Sequence, residues 1–267
     1  MKLEEWRGDW ALVTGASAGI GWEFCRQLAA RGINLVLVAR REERLRDLAE
    51  QVGKEFGVRA LVVVEDLATE GAAERIRCRV DAEGLRLRLL VNNAAFGRWG
   101  EFEGCTAERY RAMLDVNVVA LVELTHALLP RLASAAPAAV INVASAAAYQ
   151  PVPYMAVYAA SKAFVMSFSQ ALHAEWRERG VLVQTLVPGP TESEFDQVAE
   201  AYASAITGRG PAQAVVQDSM RALEADEIVA LNARGTFKQR LFAALFPPRF
   251  VVAQVAKMFR PPGGSGQ

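Results

Sequence analysis

The stretch WALVTGASAGIG, residues 10–21, decides the fold. Its first half is an apolar run typical of a buried strand, and its second half places glycines at Gly15, Gly19 and Gly21. A helical pattern follows directly. A glycine-rich turn between a strand and a helix lets the backbone approach a phosphate, and the free N–H groups of the helix N-terminus attract that anion. Because tight turns also use glycine for its conformational freedom, the surrounding chain must show whether a dinucleotide binds here.

Outside this stretch, short β-rich runs alternate with longer helical patterns. The runs predicted to be strands are INLVLVA (33–39), RALVVVEDL (59–67), LRLLVNNA (87–94), AAVINVAS (138–145) and VLVQTLVPG (181–189). They are continuously apolar, which is typical of strands that helices cover on both faces. Alternation of β and α elements indicates a parallel sheet with right-handed crossovers. The sequence therefore predicts one doubly wound, Rossmann-like α/β domain over residues 1–267, with a C-terminal helical extension.

Composition excludes several classes of protein. Of the 267 residues 52% are hydrophobic, which suits one large core, and 30 Lys or Arg balance 30 Asp or Glu, so no net charge favours nucleic acid. The N-terminus lacks the apolar run of a signal peptide, and no uninterrupted apolar stretch of about eighteen residues predicts a transmembrane span. The three cysteines form no CxxC pair, so we expect reduced thiols and a cytoplasmic location.

The end of the second predicted strand indicates which dinucleotide binds. A protein that binds the 2′-OH of NAD usually carries an acid there, whereas this chain reads VLVARREERL, with Ala39 at that place and Arg40 after it. A guanidinium suits a 2′-phosphate, so the pattern favours NADP(H) over NAD(H). In the alternative interpretation, Arg40 and Arg41 are ordinary solvated charges at the start of a helix.

The segment AAAYQPVPYMAVYAASKA, residues 146–163, holds the predicted catalyst. On a helix, Tyr158 and Lys162 share one face, and an ammonium beside a phenol lowers the phenol's pKa toward the working pH. Tyr158 would then exchange a proton with a carbonyl oxygen. Ser145 ends the preceding strand and could hold that oxygen. Asn117 is a polar residue in an apolar helix, and without the other residues it is better explained as a buried amide satisfied by backbone.

Taken together, these motifs resemble the short-chain dehydrogenase/reductase family. In the family's order they are TGASAGIG, Asp66–Leu67, NNAA (92–95), Asn117, Ser145, YAASK (158–162) and PGPT (188–191), and they span roughly residues 10–190. The resemblance implies an oxidoreductase, such as a carbonyl reductase, that interconverts a carbonyl and a secondary alcohol. It implies that Asn117 holds a water for a proton relay, Ser145 orients the substrate, and Tyr158 is the acid/base. Lys162 would lower the tyrosine pKa and bind the nicotinamide ribose.

The resemblance also implies a set of cofactor contacts. The residues are Gly15, Ser17, Gly19, Ile20, Gly21, Arg40, Asp66, Leu67, Asn93, Ala94, Tyr158, Lys162, Pro188, Gly189 and Thr191. Two positions depart from the family's pattern. Ala95 stands where glycine is commoner, and the glycine turn carries no basic residue at Ser17 or Ala18. Arg40, with Arg41, is therefore the main residue expected to bind the 2′-phosphate and to distinguish NADP(H) from NAD(H).

Residues 190–226 lie where the resembling family places a flap over the substrate. The apolar residues Phe195, Val198, Tyr202, Ile206, Val215 and Val216, with Tyr149, Tyr154 and Met155 from the tyrosine segment, predict a bulky apolar ketone or alcohol as substrate. The alternative is that they only anchor the flap. The alternative function is a non-catalytic nucleotide-sensing or scaffold protein on the same fold, which would have no need of Ser145, Tyr158 and Lys162 together.

Further segments carry weaker signals. Glu123 and His126 have metal-ligand spacing but lack converging partners, so no metal is expected. Helices near 108–129 and 155–179 would pack subunits together in the resembling family, which favours a homodimer or homotetramer. The helical segment 236–260 is basic and apolar, and it could lie on a membrane surface or dock on the body or a neighbouring subunit. Residues 261–267 are expected to be disordered.

Overall fold

The computed structural model describes residues 1–200, 208–231 and 234–261. A parallel sheet of seven strands forms its centre, in the order β3-β2-β1-β4-β5-β6-β7. The strands are β1 (Trp10–Thr14), β2 (Asn34–Ala39), β3 (Ala60–Val64), β4 (Leu87–Asn92), β5 (Ala138–Val143), β6 (Val181–Val187) and β7 (Val229–Leu231). The first six lie within the six runs predicted from the sequence. The doubly wound α/β fold is thereby confirmed.

Helices flank both faces of this sheet. They are α1 (Gly19–Ala29), α2 (Glu42–Phe56), α3 (Ala72–Ala82), α4 (Ala107–Leu114), α5 (Ala120–Ser134), α6 (Ala156–Trp176), α7 (Phe195–Val198), α8 (Ala212–Glu224), α9 (Arg234–Leu245) and α10 (Pro248–Phe259). Successive strand residues point to opposite faces. In β2, Leu35 and Leu37 join the core beneath α1, α2 and α8, whereas Val36 and Val38 join the core beneath α3 and α5. Double-sided burial explains why the strand sequences are continuously apolar.

The strand order creates the crevice that holds the site. The chain runs outward from β1 through β2 to β3 and then crosses to β4 on the other side of β1. Ligands of open α/β sheets bind at such a switch point, outside the carboxyl ends of the strands. The glycine turn follows β1, Asn93 follows β4, Ser145 lies just beyond β5, and Pro188 follows β6. The fold therefore gathers the predicted motifs at one edge.

The long helix expected over residues 108–129 extends over Ala107–Ser134 and is interrupted by a π-helical turn at Asp115–Val119. By length and composition alone, this stretch could cross a membrane. However, α5 packs against α3, β4 and β5, and its Leu124, Leu128 and Leu132 are buried in the core. It is packed as the core helix of a folded domain.

Residues 208–231 form regular structure, so the prediction of an irregular flap up to Asp226 was wrong. α8 is a regular helix that packs against α1, and β7 is a seventh strand that the sequence did not predict. Val215 and Val216 were expected to wall the substrate pocket, but both are fully buried in the core shared with α1 and α2. The prediction was wrong because their spacing with Met220 and Leu223 gives α8 an apolar face, and the sheet's own helix layer covers that face. Tyr202, Ile206 and all of the expected tail except Pro261 lie outside the described residues.

Leu223→Ala tests the place of α8 in the core. Leu223 is fully buried, and truncating a buried leucine removes packing and leaves a cavity, so the free energy of unfolding should fall by about 2–5 kcal/mol. Leu245→Ala, at a position that is 69% exposed, is the matched control and should change stability little. Denaturant unfolding measures both. If the two variants lose equal stability, α8 is not part of the core.

Candidate active site

The glycine turn after β1 has the geometry of a phosphate cradle. Gly15 and Gly19 have φ of +66° and +56°, in the left-handed region that favours glycine. A Cβ on Gly21 would lie 2.3 Å from the Gly15 carbonyl oxygen, so no larger residue fits. α1 begins at Gly19, and its N-cap residue Ala18 makes no side-chain capping bond. The first N–H groups of α1 therefore remain available to an anion, and the residues present fit a dinucleotide's pyrophosphate.

Thr14 and Asn93 fasten this turn to β4. The Thr14 hydroxyl donates to the Val91 carbonyl (3.3 Å) and accepts from the backbone N–H groups of Asn93 and Ala94, both at 3.0 Å. The Asn93 side chain donates back to the Thr14 carbonyl at 2.8 Å. Asn93 and Ala94 were predicted as cofactor contacts, whereas Thr14 was not singled out. Its place as the last residue of β1 was the available signal, because a side chain there faces the end of the neighbouring strand.

Basic residues after β2 lie beside the glycine turn. Arg41 donates to the Ser17 hydroxyl at 2.9 and 3.2 Å and pairs with Glu194 at 2.7 Å. Arg44 pairs with the same carboxylate at 2.6 Å. The Arg40 side chain is 70% exposed, and its nearest acid is Asp66 at 3.8 Å. Two guanidiniums therefore share one carboxylate at the place expected for a phosphate, and they hold the pKa of Glu194 below its usual range. No motif in the sequence pointed to Glu194.

The remaining predicted cofactor residues line the same edge of the sheet. Asp66 follows β3 and accepts from the Ala68 N–H at 3.0 Å, while Leu67 packs partly buried against the core. The buried Pro188 accepts from the Ala146 N–H at 3.0 Å through its carbonyl oxygen. Thr191 donates through its hydroxyl to the Gly189 carbonyl at 2.9 Å. Ile20 lies in the first turn of α1, partly buried.

Ser145, Tyr158 and Lys162 come together between β5 and α6. The Ser145 hydroxyl accepts from the Ala147 N–H at 3.2 Å and lies close enough to the Tyr158 phenol to lower its pKa. Lys162 is only 3% exposed, and its ammonium donates to the Val143 carbonyl at 2.7 Å. The Lys162 nitrogen lies 5.9 Å from the centre of the Tyr158 ring. The hydroxyl groups of Ser145 and Tyr158 and the buried amine of Lys162 therefore lie close together.

Burial sets the ionisation of this group and corrects one expectation. Desolvation raises the pKa of Tyr158 to about 12, although the nearby Ser145 hydroxyl lowers it in part. Desolvation likewise lowers the pKa of Lys162 to about 7. The sequence predicted that the ammonium would lower the tyrosine pKa. Because burial penalises both charged forms, Tyr158 in this structure keeps its proton at neutral pH, and Lys162 can exchange one there.

Asn117 lies in the π-helical turn and is buried. Its side-chain oxygen accepts from the Phe96 N–H at 3.0 Å, and its nitrogen donates to the Phe96 carbonyl at 3.0 Å and the Ser161 hydroxyl at 3.1 Å. The side chain is thus satisfied by backbone and by a serine one residue before Lys162. These contacts match the interpretation of Asn117 as a buried amide. The same contacts connect the loop after β4 to α6. Because the Asn117 side chain is fully occupied, a water relay at this residue would have to use the Asn117 backbone.

An apolar cover lies over Tyr158. The Phe195 ring centre is 5.1 Å from that of Tyr158, and a Cβ on Gly97 would lie 2.6 Å from Phe195. Trp99, Val152 and Met155 are buried beside them, with Val251 and Val255 of α10 in the same cluster. Tyr154 joins this cluster, whereas Tyr149 packs in a neighbouring one, and burial raises its pKa.

The described part of the chain contains no cluster of metal-ligating side chains. No group of three or more His, Cys, Asp or Glu side chains there could hold a metal ion. His173 is buried between the Val183 carbonyl, at 3.0 Å, and Arg177, at 3.2 Å, so it is a core residue. An open groove of about 500 Å³ lies between β3 and α3, at the far edge of the sheet from Tyr158.

Comparisons with known proteins identify the family of this chain. The family profile of the short-chain dehydrogenases matches residues 9–203. A very-long-chain 3-oxoacyl-CoA reductase of Anas platyrhynchos is 33% identical over 199 residues, which are 72% of this chain and 63% of that protein. The chain thus matches less than two thirds of that relative's length. A 7β-hydroxysteroid dehydrogenase of Collinsella aerofaciens is 35% identical over 191 residues, which are 72% of each chain.

Solved structures share both the fold and the extent of the domain. A short-chain dehydrogenase from Sphingobium yanoikuyae in complex with NADPH is 27% identical, with a TM-score of 0.80, and the match covers 97% of this chain and 99% of that one. A short-chain dehydrogenase/reductase from Burkholderia phymatum in complex with NAD shares the fold at 22% identity, with a TM-score of 0.80 and coverage of 89% and 93%. This chain therefore belongs to the short-chain dehydrogenase family.

Proposed function

We propose that this protein interconverts a bulky apolar ketone and its secondary alcohol with NADP(H). The observation that carries the reaction is that Tyr158 lies beside both the Ser145 hydroxyl and the buried Lys162 amine, whose nitrogen is 5.9 Å from the Tyr158 ring centre. Bound NADPH would supply a hydride to the carbonyl carbon. The Ser145 hydroxyl orients the carbonyl oxygen, and the Tyr158 hydroxyl transfers its proton to that oxygen, which completes the alcohol. In the reverse direction, Tyr158 accepts the proton of the alcohol.

Lys162 restores the proton that Tyr158 gives away. A phenol with a pKa near 12 is a ready donor only if the phenolate that it leaves is stabilised or quickly reprotonated. Burial lowers the pKa of Lys162 to about 7, so near neutral pH both of its protonation states are populated. The protonated amine can stabilise the phenolate and return a proton to it, and the neutral amine then takes up a proton from solvent.

The substrate class follows from the apolar cover on Tyr158. Phe195, which is partly buried over Tyr158 and backed by the buried Trp99 and Met155, offers a substrate an aromatic surface in place of polar partners. Burial of apolar substrate area is favourable by about 25 cal/mol per Å², so a large hydrocarbon body gains the most. Both curated relatives described above bear names of bulky apolar substrates, a very-long-chain acyl-CoA and a hydroxysteroid. The alternative, in which Phe195 only anchors the flap, predicts no gain with substrate size.

The preference for NADP(H) rests on Arg40, Arg41 and Ser17. Arg41 lies against the Ser17 hydroxyl, and Arg40 is directly beside it with most of its surface free. Two guanidiniums and a hydroxyl suit a 2′-phosphate, whereas an acid that would accept from a 2′-OH is missing at Ala39. Glu194 holds Arg41 and Arg44 in this structure, so a 2′-phosphate would compete with that carboxylate.

We also propose a homo-oligomer and a cytoplasmic location. Phe164 and Phe168 stack on α6, and Leu114 and Val119 are exposed on the neighbouring helical stretch. This apolar surface supports a homodimer or homotetramer formed through these helices. The three cysteines are free, which supports a cytoplasmic location. A non-catalytic sensor on the same fold is the alternative function, and it would show no turnover on any carbonyl.

A panel of ketones with NADPH tests the function directly. We expect kcat/KM to rise from small polar ketones and keto acids to steroidal, aromatic and long-chain ketones. Tyr158→Phe removes only the transferred proton, so turnover should fall by at least ~100-fold while the Kd for NADPH changes little. A best substrate among sugars or short keto acids would contradict the apolar class. Turnover within a few-fold of the parent in Tyr158→Phe would remove Tyr158 from the acid/base role.

Charge changes at the end of β2 test the cofactor preference. Arg40→Asp replaces a phosphate partner with a repelling acid, so NADPH binding should weaken by at least ~2 kcal/mol with little change for NADH. Glu194→Gln removes the competing charge and should strengthen NADPH binding. Arg46→Asp, on the exposed part of α2, is the matched control. Fluorescence titration gives the two affinities, and an unchanged NADPH-to-NADH ratio in Arg40→Asp would leave Arg40 a surface charge.

Lys162→Met tests the buried amine through stability. Because the pKa of Lys162 falls from 10.5 to about 7 on folding, the unfolded chain binds more protons between these values. The wild-type free energy of unfolding should therefore rise with pH across pH 7–10, by up to about 1.4 kcal/mol per unit from this group. Lys162→Met should lose that slope, and exposed Lys54→Met should keep it. Parallel slopes in all three proteins would show that Lys162 is not held neutral.

A further inference from the structure

The segment α9–α10 carries an apolar surface that the fold does not cover. Of the large apolar side chains exposed in the described residues, six lie on it: Leu241, Leu245, Phe246, Phe250, Val252 and Met258. Leu245 and Met258 are 69% and 64% exposed. Exposed apolar residues are ordinary when scattered. Here six of them are concentrated within eighteen consecutive residues, whereas the other seven are scattered over the rest of the described chain.

Charge is segregated onto the same segment. From Ile228 to the C-terminus the chain holds six Lys or Arg and no Asp or Glu, whereas residues 1–227 hold 24 basic and 30 acidic residues. Arg249, Lys257 and Arg260 form no ion pair within the described part of the chain, in contrast to most arginines of the body. Phe250 and Lys257 lie seven residues apart and hence on one face of α10. The outer surface of the segment is therefore both apolar and cationic.

The segment is held in place by its inner face. Val251 and Val255 are buried against Trp99 and Met155, and the Trp99 indole donates to the Phe259 carbonyl at 2.7 Å. The rings of Phe242, Phe246 and Phe250 pack together across the bend at Pro247, with centres 5.0 to 6.1 Å apart. α10 is thus a docked helix, and its uncovered side is a fixed surface.

We propose that the outer face of α9–α10 binds the surface of an anionic lipid bilayer. An apolar face rimmed with Lys and Arg lies in the interface of such a bilayer, with its hydrocarbon side chains below the headgroups and its cations among the phosphates. Each helix has 12 residues, which is too short to span a membrane. A second copy of this chain is a poor occupant, because it would bring two unpaired cationic surfaces together.

The position of the surface gives it a role in the proposed function. The inner face of α10 contacts the apolar cluster that includes Tyr158 and Phe195, so the membrane would lie next to the cover of the site. An apolar substrate dissolved in lipid could then enter without crossing water. This role rests on the proposed function, whereas lipid binding itself does not.

Sedimentation with vesicles tests the proposal on the full chain without substrate. Wild-type protein should sediment with vesicles of phosphatidylcholine and phosphatidylglycerol and at least ~tenfold less with phosphatidylcholine alone. The charge variant Arg249→Glu/Lys257→Glu and the apolar variant Leu245→Gln/Met258→Gln should each lose at least ~tenfold in affinity for the anionic vesicles. All four side chains are exposed, so circular dichroism and unfolding should match wild type.

Matched controls separate this surface from general charge and apolarity. Lys54→Glu/Arg79→Glu makes the same change in net charge on α2 and α3, and Val64→Gln changes an exposed apolar residue at the sheet edge. Both should bind anionic vesicles as wild type does. Absence of wild-type sedimentation, or equal losses in controls and test variants, would overturn the proposal. So would a change of oligomeric state in Leu245→Gln/Met258→Gln without lipid, because the face would then be a subunit interface.

Discussion

The buried ammonium of Lys162 is the constraint on which the rest of the site depends. An ammonium has three donors, and here one of them reaches the Val143 carbonyl. Taking such a group from water is costly, and the drop of its pKa to about 7 reflects that cost. The surrounding fold must therefore be stable enough to bear it, and α6 supplies this stability by packing along β6 and β5. In the proposed function, activity and stability are therefore opposed at this residue.

A network of buried amides holds the elements around Lys162 in register. Asn92 and Asn142 are neighbours across β4 and β5 and share a hydrogen bond at 2.8 Å. Asn92 also donates to Thr125 of α5, and Asn142 donates to Ser169 of α6. Because unsatisfied amides are expensive in a core, these bonds fix how the two helices meet the strand ends. The positions of Ser145 and Tyr158 follow from that arrangement.

Local patterns in the sequence were sufficient for the sheet and for the pairing of Tyr158 with Lys162. Continuous apolar runs predict covered strands, and four-residue spacing places two side chains on one helix face, because both depend on neighbours in the chain. Contacts between distant segments were not predictable in this way. Arg41 and Glu194 are 153 residues apart in the sequence, and neither residue's surroundings indicate the pair.

Burial explains the other failures. The direction of the Tyr158 pKa shift depends on how far the fold shields the phenol from water. A Y-x3-K spacing carries no information about that burial. α8 was misjudged because an apolar helical face looks the same whether it lines a pocket or a core. β7 has three residues, too few to show a pattern. The π-helical turn that contains Asn117 likewise has no signature in a sequence with the pattern of one continuous helix.

Three consecutive residues, 193–195, contact the glycine turn, the arginines after β2 and Tyr158, which are far apart in the sequence. Ser193 lies over the glycine turn, where a Cβ on Gly19 would come within 3.0 Å of it. Glu194 holds the arginines after β2, and Phe195 covers Tyr158. Because they are consecutive in the chain, none of them can move far without the others. The short segment that would adjoin the cofactor's 2′-phosphate in the proposed function is therefore the same segment that places the ring over Tyr158.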